Sequence, residues 1–167
     1  QAGSFAVSIK ELRAYLRNFP GHDHASEAKI LLGDALLNEG KIEDGIAVFQ
    51  EISPDDPPFY EEGIFKAAKA LKLLEEYDRL LALMSGFPQK FPRSARVAEA
   101  VSLAGWVHRQ KNRAELAREL YWAAIKKYGS DPSIRSVDDL FPALAKLYSR
   151  DAPDVFANLL AELFRSA

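Results

Sequence analysis

Two of the three histidines and several paired carboxylates have the spacing that could do chemistry. His22-Asp23-His24 places two imidazoles and a carboxylate within three residues, donor types that suit a metal ion. The segment follows Phe19-Pro20-Gly21, a turn-forming run after which aspartate and small polar residues cap the next helix. The remaining histidine, His108, falls in a different apolar stretch, so capping or loop chemistry is the expected role. His108 itself sits at a packing position and is expected to be a buried, hydrogen-bonded imidazole. Asp55-Asp56, Glu61-Glu62, Glu75-Glu76 and Asp138-Asp139 offer acid pairs, yet all lie at helix starts or turns, where carboxylates complement helix dipoles or are solvated. The sequence holds no phosphate-cradling glycine loop, no serine in a nucleophile motif and no cysteine. No catalytic residue, metal site or cofactor is expected, and the elements that carry these residues become the more informative level.

Those elements recur. Gly33, Ala68, Gly105 and Ala145 follow one another at 35, 37 and 40 residues, each inside an apolar stretch of helical period. A second set of columns keeps the same beat. A mostly small position reads Ser8, Gly45, Leu80, Ala117, Ala157; four residues on, a large one reads Leu12, Phe49, Met84, Tyr121 and then breaks at Ala161, where Leu160 is a substitute. Three further on stand Tyr15, Ile52, Phe87, Ala124 and Phe164. Offsets of four and seven put each trio on one helical face. Small residues let helices approach and large ones fill the groove between them, so each repeat is a helix pair that must stack on its neighbours.

Leu31–Leu37, Ile64–Leu74 and Val101–Val107 are expected as first helices; Ile42–Ile52, Leu80–Phe87 and Leu116–Tyr128 as second helices. Polar turns at 38–41, 75–78 and 110–113 join them. Asp56 before Pro57, Asp131 before Pro132, Ser94 and Ser136 are candidate helix caps. Pro142 fits best in the first turn of a helix that starts near Asp138 or Asp139.

With 167 residues, the chain can bury roughly 70% of its unfolded surface. A net charge of -2 from 22 basic and 24 acidic residues gives no basic field for nucleic acid, and no apolar run reaches membrane-spanning length. The chain begins at Gln1, and its first helix, Phe5–Phe19, has no preceding partner, which predicts a fragment of a longer protein.

Gly33 with Gly45, Phe49 and Pro57, together with Phe141, Leu144, Ala145 and Tyr148, resembles the tetratricopeptide repeat (TPR) family over essentially the whole chain. The resemblance implies an all-α fold, a right-handed superhelical α-solenoid of antiparallel helix pairs. It implies one repeat domain over 1–167, with a partial unit 1–22 and units near 23–57, 58–92, 93–132 and 133–167. Lys29, Ile64 and Val101 stand where the family's tryptophan is usual. Tyr15-Leu16-Arg17-Asn18-Phe19-Pro20 with Ala25 and Ala28, echoed by Phe91-Pro92-Arg93-Ser94-Ala95, is similar to a phrase of bacterial envelope repeat proteins. These include the outer-membrane assembly lipoprotein and the Tol–Pal-associated periplasmic protein. That similarity favours a periplasmic or outer-membrane-associated setting and leaves the cytoplasm open.

In this family the stripe beside the packing face of each first helix lines a concave groove. Here it carries Ile30, Asp34, Leu37 and Asn38; then Phe65, Lys69, Lys72 and Leu73; then Ser102, Trp106, Arg109 and Gln110. Lys146, Ser149 and Arg150, with Pro142 at the edge, extend it in the last unit. Asp34, Lys69 and Trp106 stand where a carboxylate clamp needs asparagine, so that activity is not implied. The expected function is a non-enzymatic scaffold that binds a protein or peptide segment, with Trp106 as its main anchor and acidic flanks on Lys69, Lys72 and Arg109. Two alternatives stay open: neighbouring helices cover these side chains, or the repeats form a spacer that self-associates.

Overall fold

The computed structural model describes residues 2–148 and 153–165. Among these the elements are all helical: α1 (Ala2–Asn18), α2 (Ala25–Asn38), α3 (Ile42–Gln50), α4 (Pro57–Leu73), α5 (Tyr77–Lys90), α6 (Val97–Gln110), α7 (Ala114–Tyr128), α8 (Leu140–Tyr148) and α9 (Pro153–Arg165). No described helix is long and apolar enough to cross a membrane. The chain divides into two compact units, Gln1–Tyr77 and Asp78–Ala167. In the first, α1 packs on α2, α2 on α3, and α4 on both α2 and α3. In the second, α6 packs on α7, α7 on α8 and α8 on α9.

The alternation of small and large positions sets the packing within each unit. A methyl group on Gly33 would collide with the ring of Phe49, and one on Gly105 with the ring of Tyr121. Glycine at these crossings lets α3 and α7 seat their aromatic rings directly on the backbones of α2 and α6. Phe49 and Tyr121 are consequently almost wholly buried, each contributing about 1.5–3 kcal/mol of burial. Gly45 and Gly63 repeat the device: a Cβ at Gly45 would lie 2.9 Å from Leu37, and one at Gly63 2.7 Å from Ile52.

Tight turns end three of the helices in the same way. Gly40, Glu75 and Asn112 have φ of 80°, 59° and 55°, the left-handed region. Around them the same hydrogen bonds recur: Lys41 N–H donates to Leu36 O (2.9 Å), Glu76 N–H to Leu71 O (2.9 Å) and Arg113 N–H to His108 O (2.8 Å). This is the six-to-one bond of a Schellman cap, which satisfies carbonyls left without donors at a helix end. Side-chain cations finish other ends. Lys29 Nζ donates to Glu51 O (2.7 Å) just past α3, and the Arg118 guanidinium donates to Leu147 O (2.6 Å) while lying 4.9 Å over the Tyr148 ring. Lys29, which stands where the resemblance implies tryptophan, makes a carbonyl contact at the C-terminal end of a helix, where cations are favoured. The two envelope-like phrases share a local geometry, with Tyr15–Phe19 ring centroids 5.6 Å apart at 41° and Phe87–Phe91 at 5.2 Å and 39°.

The capping expectations hold less well. Asp56 precedes Pro57 at the start of α4 but makes no side-chain cap bond. Ser94 Oγ accepts from Arg96 N–H (3.1 Å), serving the turn before α6. Asp131 bonds the Ser133 amide (2.9 Å) and hydroxyl (2.6 Å) in a loop that continues to Leu140. That loop is packed nonetheless: Ile134 and Val137 are buried, and Arg135 N–H donates to Ala95 O (2.9 Å). With α8 starting at Leu140, Pro142 lies in its first turn. Pro88 lies inside α5 and leaves the Met84 carbonyl without its helical donor. At the C-terminal end Ala157 is exposed, unlike its buried counterparts Gly45, Leu80 and Ala117. Ser149, Arg150 and the Phe164 side chain lie outside the described residues.

Candidate functional site

The His22-Asp23-His24 turn is an exposed ring cluster. The Tyr15 hydroxyl lies 2.9 Å from His22 Nδ1, the His24 amide donates to the same nitrogen (3.3 Å), and His24 Nδ1 is 3.2 Å from Glu27. His24 occupies the cap position of α2 without a side-chain cap bond. Among the described residues no group of three histidine, cysteine, aspartate or glutamate side chains could hold a metal. His108 also departs from expectation. It is half-buried, and its buried Nδ1 has no hydrogen-bond partner. Burial, with the Arg113 charge adding to it, holds its pKa below the ordinary imidazole value.

The stripe expected to line a groove separates into three fates in the first unit. Ile30 and Phe65 are 6% and 2% exposed and belong to the core rather than to an open face. The Ile30 Cδ1 atom lies 3.7 Å from where a Cβ on Gly63 would stand, so the close approach of α2 and α4 covers it. Asn38 donates to the Asp34 carbonyl (2.9 Å) and finishes its own helix. Asp34, Leu37, Lys69 and Leu73 do come together: with Ile42, Lys66 and Ala70 they line a cleft of about 320 Å³.

This cleft has an apolar ledge and one available cation. Leu73 is 73% exposed and Leu37 half-buried. Both Asp34 oxygens accept from Lys66 Nζ (2.9 and 2.8 Å), and Glu62 lies 3.6 Å from the same ammonium. The Asp34 charge is thus matched inside the cleft. Lys69 is exposed and has no side-chain partner among the described residues. Lys72 is exposed one turn along and already engaged. Lys66 lies outside the expected stripe by its helical position; its four-carbon stem carries the ammonium across to Asp34.

In the second unit Trp106, Arg109 and Gln110 share α6. Trp106 is half-buried and engaged, whereas Arg109 and Gln110 are exposed. Tyr121 connects this stripe to the helix pair beneath it, its hydroxyl donating to Ser102 O at 3.4 Å. Burial raises the Tyr121 pKa, with the Arg109 charge and hydrogen bond acting in opposition.

The family model of the tetratricopeptide repeat matches residues 1–58. Among solved structures, one described as "MamA RS-1 ArsTM double mutant" superposes with a TM-score of 0.59 over 95% of this chain and 84% of that one, at 19% identity. No curated protein matches. The fold is an all-α, TPR-like solenoid. At this level of identity the structural likeness speaks to fold alone.

Proposed function

We propose that the chain is a non-enzymatic scaffold that binds a peptide segment of a partner protein at the cleft between α2 and α4. The observation that carries this is the pairing of an apolar ledge, Leu37 and Leu73, with the exposed ammonium of Lys69. Repeats of the matching family generally mediate protein–protein contacts, which supports the same reading. A large exposed leucine beside a cation suits a segment with an apolar anchor next to a carboxylate. The aromatic–proline phrases after α1 and α5 support an envelope setting for this scaffold, which cell fractionation would check.

A panel of labelled peptides pairing leucine or phenylalanine with either glutamate or lysine provides the test, read by fluorescence anisotropy. Glutamate-bearing members should bind, with Lys69→Glu and Leu73→Asp each weakening them at least fivefold at unchanged melting temperature. Binding that ignores both substitutions, or no binding at all, would sink the reading.

A further inference from the structure

Within the second unit, a small cleft of about 170 Å³ is lined by residues of α5, α6 and α7. Val101 and Ala104 of α6 and Leu120 and Ala124 of α7 make its walls largely apolar. The α5 wall is Met84, Ser85, Pro88 and Gln89, residues at offsets zero, one, four and five. Those four positions surround the Met84 carbonyl, which in a helix points along the axis toward the N–H four residues on. That residue is Pro88, which has no N–H to give. The equivalent position of α7 is Ile125, whose amide can complete the turn, so this gap is particular to α5. Tyr128, 7% exposed, lines the same cleft, and its buried hydroxyl has no hydrogen-bond partner among the described residues. Two unmatched polar groups therefore stand along one small apolar cleft.

We propose that this cleft binds a small, neutral, ring-sized apolar molecule carrying one hydrogen-bond donor, of which phenol is the simplest example. Volume sets the size, since an apolar cavity of about 150 Å³ is enough to hold benzene. The Met84 carbonyl sets the polar group. Covering that oxygen with hydrocarbon alone would strip it of water and return nothing, whereas a ligand O–H or N–H replaces the donor that Pro88 lacks. A carboxylate suits the wall badly, because its oxygens would face the carbonyl oxygen. The Lys127 ammonium at the rim lies 5.0 Å over the Tyr128 ring and is engaged there. This cleft shares no residue with the one between α2 and α4, so the two readings stand or fall separately.

Phenol and toluene, similar in size and differing in the donor, are the probes. Each is titrated into the full chain and followed through the backbone amide chemical shifts. Phenol should bind at least fivefold more tightly than toluene. Pro88→Ala gives the Met84 carbonyl back its helical N–H, so it should raise the melting temperature and bring the phenol-to-toluene ratio close to one. Ala123→Phe plugs the cleft from an exposed position and should block both ligands, with helix content unchanged by circular dichroism. Equal binding of the two ligands to the parent chain, or no saturable binding of phenol, would overturn the proposal. So would a phenol preference that survives Pro88→Ala, or binding indifferent to Ala123→Phe.

Discussion

Adding one methyl group to Gly33 or Gly105 drives it into the ring of Phe49 or Tyr121. Gly33→Ala and Gly105→Ala should therefore destabilise by about 1–3 kcal/mol through overpacking. Gly86 is the internal control: it lies inside α5 with nothing within 4 Å of its virtual Cβ. There alanine should stabilise by about 0.5–1 kcal/mol, because it removes backbone entropy from the unfolded chain. Urea melts check both, and equal signs at the two kinds of glycine would refute the packing scheme. His108 predicts a pH effect of known sign. Its folded pKa is depressed, so above about pH 6.5 both states are neutral and no penalty exists. As pH falls below that value the unfolded chain takes the proton first, and stability drops. His108→Leu, which copies Leu36 and Leu71, should raise the melting temperature more at pH 5.5 than at pH 7.5. Parallel gains at both pH values would remove His108 as the cause.

At the scale of the element, the Schellman turns make a further prediction. Glu75 pays the steric cost of a left-handed backbone that Gly40 adopts freely, a difference of about 1 kcal/mol. Glu75→Gly should raise stability modestly, by less than about 1 kcal/mol, and Gly40→Ala should lower it by about that amount. Thermal melts of the two variants should move in opposite directions. The glutamate gives no sequence hint of a left-handed turn; only its place in the repeat, seven residues after Ala68, marks it as the counterpart of Gly40 and Asn112.

Across the whole molecule, what could be read beforehand divides by the kind of physics involved. The helix pairs were legible because steric complementarity between small and large positions is periodic, and Gly33–Phe49 and Gly105–Tyr121 meet as that pattern predicts. Ile30 and Phe65 were misplaced because angular arithmetic says where a side chain points and not what lies above it. Lys66 was missed for the opposite reason, since a long flexible stem escapes the face its backbone occupies. Asp131 looks like a cap because the bonds that close a local turn use the same residue types as those that start a helix.

The sequence separation from each of the first three small positions to the large position that follows it is constant. Gly33 to Phe49, Ala68 to Met84 and Gly105 to Tyr121 all span 16 residues, while successive small positions drift through 35, 37 and 40. One residue inserted inside α3 ahead of Phe49 would rotate that ring by about 100° around the helix and swing it away from Gly33. The stretch from Gly129 to Asp139, which accommodates the longest of these spacings, carries no such constraint on helix phase. Within this chain, length varies at the joints between repeats, where helix phase is free, and is held fixed inside them.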